Sequence, residues 1–452
     1  MSIKPEDLRL YKRLADFCWD DYYFPMDGQF QNYTYFPPAT PEQVRSCWKR
    51  TLRLIREGRA PREVGLYVHW PFCPSQCSYC FCSMRVPKSR KETADYAAGL
   101  KGEMDSFRDV FDGFKLTSLW FGGGTPTFMD EDTLDGLLGH ARRCFALEPG
   151  AEIYVEASPA TLSPGKMDVL LRHGVNRITL GIQSRDESVP MNRRGQDAAA
   201  VERAASLVFG RGMVVDFDLM MGLQGQSELS FLRDLAWALR KKPDVLHLFA
   251  FDPRPQTLFS KSGKEPGPRR DLHRLMALAD RAVRGAGYGT SRLDPKTLEP
   301  HRLEEKQDSA VRRLGASVLG IGNSALSHAF GSAWYYHPLR SNAFRLMPSP
   351  LDEEMRGFAL RHLSLFGRLP KRPFDPGLSG ALRDLEAAGH LRSERGALVY
   401  TRRDPVEKAI VLKHLYSRKV REALARIHHP SGGGIREKLS GRGLFRVYFR
   451  SA

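Results

Sequence analysis

Apolar and polar positions alternate in short runs along the first two-thirds of this 452-residue chain. Six runs carry a strand signal: GLYVHW (65–70), TSLWFGGG (117–124), EIYVEAS (152–158), NRITLGI (176–182), VVDFDLMMG (214–222) and VLHLFAFD (245–252). They are rich in β-branched and aromatic residues and bounded by turn formers. Between them, apolar residues recur at three- and four-residue spacing, as in TADYAAGLKGEMDSFRDVF, DTLDGLLGHARRCFAL and AAAVERAASLVFGRG, which predicts amphipathic helices. Strands alternating with helices predict an α/β fold built of βα units on a parallel sheet. Six such units suit a partial or full parallel (β/α) barrel better than a minimal doubly wound sheet. In such a barrel the working residues stand at the C-terminal strand ends and in the loops that follow.

The two ends of the chain read differently. Residues 1–64 form a leader rich in aromatics and prolines that runs into an amphipathic helix at VRSCWKRTLRLIREG. The barrel core is expected over 65–335. From 336 to 430, LDEEMRGFALRHLSLFG and LSGALRDLEAAGHLRSERGALVYT predict helices and a short β-ribbon, a small winged-helix-like α+β domain. Residues 431–452 form a basic, glycine-rich tail.

Composition is that of a globular protein, with 42% apolar and 27% charged residues. No apolar run approaches the roughly 20 residues that span a bilayer. The N-terminus mixes charge signs and lacks the apolar core of a secretory signal, so a cytoplasmic protein without a membrane span is expected. A net charge of +17 fits an anionic substrate, a nucleic acid or merely Arg-rich solvated faces. No segment interleaves aromatics and basics as a nucleic-acid module does, and nucleic acid is not the expected partner.

Cysteine placement changes the picture. Three of the seven (Cys18, Cys47, Cys144) are scattered and read as buried or surface thiols. The other four crowd into PFCPSQCSYCFCS, at 73, 77, 80 and 82, directly after the first barrel strand. Such a set in a reducing compartment points to metal binding or catalysis. Structural zinc usually draws on two knuckles, and no second knuckle follows, though zinc stays an alternative. Three thiolates on one short loop suit a 4Fe–4S cluster with one iron left open, which assigns Cys73, Cys77 and Cys80 as ligands and leaves Cys82 surplus and pointing elsewhere.

The Cys-x3-Cys-x2-Cys spacing with Tyr79 before the last cysteine resembles the radical S-adenosyl-L-methionine (SAM) superfamily. The surrounding YVHWPFCPSQCSYCFC is similar to its oxygen-independent coproporphyrinogen III oxidase-like branch. Further elements follow in order: LWFGGGTPTFM, VEASPATL, GVNRITLGIQS, DFDLMMGLQGQS and LGIGNSALS, together spanning about residues 60–330. The resemblance implies that SAM caps the open iron and is cleaved reductively to a 5′-deoxyadenosyl radical. It also implies a second SAM beside the first and a reductant such as flavodoxin or ferredoxin.

The resemblance implies roles for particular residues. Gly123, Gly124 and Thr125, in the Gly122–Pro126 stretch, leave backbone groups exposed where the methionine moiety of SAM docks; without it the stretch reads as a tight strand-to-helix turn. Glu156, Gln183 and Asp218 stand at successive strand ends as SAM contacts, whereas a lone strand-end glutamate reads as a solvated or capping residue. Arg193 or Arg194 resembles the arginine that meets a SAM carboxylate. Phe81 beside the last cluster cysteine is taken as a further SAM contact. Tyr67 and His69 alternate with Val68 and Trp70 and so share one strand face; Tyr67 either lines the SAM site or is a packed aromatic. The expected catalytic set is Tyr67, Glu156 and Gln183.

Three functions in this branch stay open. The leader stretch YTYFPPA, the Cys80–Cys82 pair and the positive charge favour oxidative decarboxylation of coproporphyrinogen propionates. EASPA at 156–160 and the segments GYGTSRLDPKTLEP and KQDSAVRRLGASVLGIG depart from the oxidase pattern where substrate and second SAM are contacted. Those departures favour methyl transfer or cyclopropanation of an unsaturated small molecule. The third is a heme-binding, chaperone-like protein.

Overall fold

The computed structural model describes residues 37–189, 197–251, 253, 254, 257–264, 269–294, 297–301, 316–338, 343–402, 408 and 410–421. Arg193, Arg194, the first 36 residues and the 431–452 tail lie outside the described residues. By contacts the chain divides into two compact units. One holds residues 63–310 and 318–325; the other gathers residues up to 62, 311–317 and the chain from 326 onward. The helix that follows the leader therefore shares a unit with the C-terminal elements rather than standing apart.

That unit begins with strand β1 (Pro38–Ala39) and helix α1 (Pro41–Arg56). Thr40 caps α1 reciprocally with Gln43: each side chain accepts a hydrogen bond from the other's backbone N–H, and Pro41 occupies the first turn, where no donor is missed.

The other unit carries the βα alternation. Its elements run β2 (Val64–Trp70), α2 (Arg90–Phe107), β3 (Lys115–Gly123), α3 (Glu131–Cys144), β4 (Ala146–Ala157), α4 (Pro164–Arg172), β5 (Arg177–Gln183), α5 (Ala198–Val208), β6 (Val214–Met221), α6 (Glu228–Lys241) and β7 (Val245–Ala250). After these come α7 (Leu258–Lys261), α8 (Arg269–Gly285), the hairpin β8 (Gly289–Asp294) and β9 (Thr297–His301), and β10 (Ser317–Ile321). Each of α2 to α6 starts at a Ser or Asp whose side chain accepts from the N–H three residues on: Ser89, Asp130, Ser163, Asp197 and Ser227. The loops thus end in residues that satisfy the orphan donors of the first turn. β2 to β7 pair in parallel and in chain order. β10 lies beside β2, while β9 and then β8 extend the other edge antiparallel. Among the described residues this order closes nowhere, so the sheet is the partial form of the expected barrel.

The two faces of the sheet differ sharply. One is apolar and fully buried, with Leu66, Val68, Phe121, Val155, Ile178 and Phe217. The other, one residue out of step along each strand, carries aromatic and polar side chains from Tyr67 across to His247. Pairing register sets them in rows: Tyr67, Trp120, Tyr154 and Arg177 stand level with one another.

The first unit continues with β11 (Leu326–Ala329), β12 (Ala333–Tyr336) and β13 (Phe344–Pro348), an antiparallel meander joined by β1. α1 is tied to it where the Trp48 indole N–H donates to the Tyr335 hydroxyl at 2.7 Å and Thr51 donates to the Phe330 carbonyl at 3.1 Å. Helices α9 (Leu351–Phe366) and α10 (Pro376–Ala387) and the antiparallel ribbon β14 (Arg368–Pro370), β15 (Leu391–Glu394) and β16 (Ala397–Tyr400) give the winged-helix-like part its shape. Its core is leucine-rich, with Leu363, Leu378, Leu385 and Leu415 fully buried. No helix among the described residues is long and apolar enough to cross a membrane.

Candidate active site

β2 ends at Trp70 and the chain turns into the cysteine loop. Backbone clamps hold it. Cys73 N–H donates to the Arg85 carbonyl (3.1 Å) and Arg85 N–H to that of Pro71 (2.8 Å). Gly124 and Thr125 N–H donate to the carbonyls of Trp70 (2.7 Å) and Phe72 (3.0 Å), stitching the loop to the end of β3. Cys73 and Cys77 are buried and Cys80 half-buried. Cys77 and Tyr79 pack with Val189, Leu223, Phe251 and Phe259 in an apolar cluster that keeps water from this side of the loop. The Thr125 hydroxyl lies 3.1 Å from Cys73 Sγ.

One expectation needs correcting here. Cys82 does not point elsewhere: the residue is exposed, yet its thiol hydrogen-bonds that of Cys80. That bond and the charge of Cys80, followed by burial, push it well above the usual thiol range. The loop turns back on itself after Tyr79, Met84 N–H donating to the Cys82 carbonyl at 2.7 Å, which brings the fourth sulfur inward. Phe81, taken as a SAM contact, is 44% exposed, and the Arg254 guanidinium lies 5.6 Å from its ring centre.

The glycines close the end of β3. Gly123 has φ of +110°, a region that side chains avoid. A Cβ there would lie 2.6 Å from His69 Cε1 and 2.9 Å from the Trp70 carbonyl oxygen. At Gly124 a Cβ would meet the backbone of Pro71 and Phe72 at 2.8 Å. The stretch is therefore both a tight turn and a cradle: bare backbone meets bare backbone, and Gly123 N–H is directed at Glu156 Oε2, 3.2 Å away.

Tyr67 and His69 do share a face and touch. The Tyr67 hydroxyl is 2.8 Å from His69 Nδ1, and His69 Nε2 is 3.0 Å from the Ser83 carbonyl. A carbonyl only accepts, so Nε2 carries the proton, and Nδ1 accepts from Tyr67. Burial holds His69 down to about 4, against a weaker upward pull from the Ser83 carbonyl, so the ring is neutral. Burial and then the Glu156 carboxylate push the Tyr67 phenol well above its usual range, and it stays protonated. Tyr67, Trp120 and Tyr154 form a ladder with ring centres 4.7 and 5.4 Å apart.

Gln183 sits at a register shift between β5 and β6 with φ of +66°. A bulge of this kind re-aims a side chain at a sheet end. Its Oε1 is buried with no hydrogen-bond partner. Asp218 Oδ1 lies 2.8 Å from Nδ1 of His247, its register partner on β7. Beneath these, Arg177 donates to Asp216 Oδ2 (2.6 Å) and Glu152 Oε2 (3.0 Å), and Thr179 donates to the same Asp216 oxygen, so the floor of the inner face is a closed ionic network.

Sequence reading missed Trp120, Tyr154, His247 and the Arg177–Asp216 pair. None carries a spacing signal, since each becomes part of the face only through strand register. The donor set fits the implied groups. Three thiols share one loop walled by apolar side chains. The partnerless, buried Trp120 indole N–H faces the same side of the sheet as Glu156, the Gln183 oxygen is orphaned at the end of β5, and glycine backbone lies open beside Glu156.

Residues 67–238 match the radical SAM superfamily, and the fold and the thiol loop agree with that match: this part of the chain is a radical SAM domain. Within that class the chain is homologous to the oxygen-independent coproporphyrinogen III oxidase-like proteins. It is 29% identical over 322 residues to oxygen-independent coproporphyrinogen III oxidase from Bradyrhizobium diazoefficiens, covering 67% of this chain and 70% of that protein. It is 32% identical over 198 residues to the heme chaperone HemW of Escherichia coli, covering 43% and 52% respectively. Its fold is that of coproporphyrinogen III oxidase (HemN) from Escherichia coli, with a TM-score of 0.65 at 21% identity over 80% of this chain and 92% of that one.

Proposed function

We propose that the chain is a radical SAM enzyme that oxidatively decarboxylates propionate side chains of a coproporphyrinogen-like tetrapyrrole to vinyl groups. The observation that carries the reading is the cysteine loop set beside the strand ends of Gly123, Glu156, Gln183 and Asp218. Cys73, Cys77 and Cys80 would hold a 4Fe–4S cluster. Together with SAM, that cluster supplies a 5′-deoxyadenosyl radical, able to take a hydrogen atom from an unactivated C–H bond. Gly123, Gly124 and Thr125 would receive the methionine end of SAM. Glu156, Gln183 and Asp218 would orient the rest, and neutral His69 would hold the Tyr67 hydroxyl in place. Arg193 or Arg194 would meet a SAM carboxylate.

Each propionate loses a hydrogen atom, CO2 and one further electron, so an electron acceptor is needed, as is a reductant of the flavodoxin or ferredoxin class. The net charge of +17 suits a substrate with several carboxylates. Methyl transfer or cyclopropanation with a second SAM, favoured by the departures at 156–160 and within 287–322, finds no support in the names of the relatives, whereas the oxidase does. Within the second departure, residues 295, 296 and 306–315 lie outside the described residues.

The test is an anaerobic incubation of reconstituted protein with dithionite, methyl-deuterated SAM and coproporphyrinogen III, read by mass spectrometry. Vinyl products with deuterium-free 5′-deoxyadenosine are expected. Deuterated 5′-deoxyadenosine accompanied by S-adenosylhomocysteine would replace this reading with methyl transfer. Heme binding without SAM turnover would replace it with a chaperone role. Equilibrium dialysis gives the SAM count, two per chain on the branch resemblance.

A further inference from the structure

Apart from the cysteine loop, the described residues contain one place where three metal-ligating groups of different chemistry converge. Asp105 stands near the end of α2, and His140 and Cys144 lie one helical turn apart on α3, so α3 presents both toward α2. Asp105 Oδ1 is 3.0 Å from His140 Nε2 and 3.3 Å from Cys144 Sγ, and all three donor atoms lie within 4.8 Å of one another. Cys144 stands two residues before β4, whose Ala146 is level with Lys115 of β3 while Val155 is level with Phe121, so the trio is roughly 20 Å of strand away from the proposed SAM end of the sheet. Nothing in the proposed radical chemistry uses it.

We propose that Asp105, His140 and Cys144 form a separate site for a borderline-soft divalent cation such as Zn2+. Three observations support this. Donors held at about 2.0–2.3 Å from a tetrahedral ion stand about 3.3–3.8 Å from one another, and Asp105 Oδ1 stands 3.0 and 3.3 Å from the other two donor atoms. The set is one sulfur, one imidazole nitrogen and one carboxylate oxygen, a combination that suits zinc and not the hard cations, which take oxygen alone. Asp105 is exposed and Cys144 buried, so the site has an entry path and room for water as a fourth ligand. The proton account closes: the Cys144 thiol releases its proton to solvent, and the His140 proton moves from Nε2 to Nδ1. The dication is then neutralised by one thiolate and one carboxylate.

The test uses the full chain with its iron reconstituted, so that the cluster cysteines are occupied. One equivalent of Zn2+ is added and excess removed by desalting. One retained zinc per chain is expected, with zinc-edge X-ray absorption giving one sulfur and two or three nitrogen or oxygen neighbours. A shell without sulfur, or one of three or four sulfurs, overturns the site. Cys144→Ala and His140→Ala should weaken retention at least about tenfold with iron content and SAM cleavage unchanged; equal retention by Cys144→Ala overturns it. Asp105→Asn alters only an exposed side chain, so it tests the same point if the helix variants fail to fold; unaltered affinity there also counts against the site.

Discussion

Gly123→Ala puts the geometry of the proposed SAM end of the sheet to a quantitative test. Two costs add. The backbone at φ of +110° lies where a side chain costs about 1–3 kcal/mol. The new Cβ would stand 2.6 and 2.7 Å from His69 ring atoms and 2.9 Å from the Trp70 carbonyl. His69 is pinned on both sides, by Tyr67 and by the Ser83 carbonyl, so the ring has nowhere to go without breaking one of those bonds. Overpacking of this kind costs about 1–3 kcal/mol more. The sum, about 2–6 kcal/mol, is a large share of a typical folding free energy of about 5–15 kcal/mol. Gly113→Ala is the control. Its φ is +69° with nothing within 4 Å of the added carbon, so only the backbone cost remains, about 1–2 kcal/mol. Urea unfolding of the two apo variants beside the parent protein measures the difference. SAM affinity of the reconstituted Gly123→Ala protein should fall as well, since its Cβ fills the cradle. Equal midpoints for the two variants would refute the claim that His69 and the Trp70 carbonyl crowd this glycine.

Other outcomes are equally definite. Cys73→Ala, Cys77→Ala and Cys80→Ala should each abolish the brown cluster and SAM cleavage, whereas Cys82→Ala keeps the iron; iron lost from Cys82→Ala but kept by one of the others would overturn the ligand assignment. Asp216→Asn leaves the buried Arg177 guanidinium short of its main partner and should cost about 3–5 kcal/mol in urea unfolding; a loss under about 1 kcal/mol would mean that Glu152 suffices. Burial holds His362 down to about 4, below the 6.5 of the unfolded chain. As pH falls from 6.5 to about 4 the unfolded chain takes up the proton first, and the folded state loses about 3 kcal/mol from this group. His362→Gln should therefore lose less stability than the parent over that interval, and parallel pH profiles would rule this out.

The βα order and the cysteine loop were legible because both are local. A strand's apolar residues recur within six or seven positions, and three thiols on one loop can meet whatever lies elsewhere. The strand signals accordingly fall on β2 to β7 within a few residues, apart from β4, which starts six residues earlier, at Ala146, than its apolar run. Tyr67 and His69 were placed together by alternation alone, and their side chains touch. The sequence reading went astray at Cys82, where a loop's direction depends on what clamps it. Met84 folds back onto Cys82.

What the sequence by itself determined was the kind of machine: a parallel α/β sheet, a thiol loop after its first strand, and turn glycines after the next. Each follows from chain-local chemistry, propensity, capping and spacing. The tertiary structure alone decided which polar groups share the inner face. His247 meets Asp218 and Trp120 bridges Tyr67 and Tyr154 because register sets them level, and Arg177 closes on Asp216 because register sets them two places apart on adjacent strands, across five parallel pairings. Asp105, His140 and Cys144 converge only because α2 and α3 pack side by side. Contacts between elements depend on how strands and helices are laid against one another, and no spacing along a single stretch of chain encodes that.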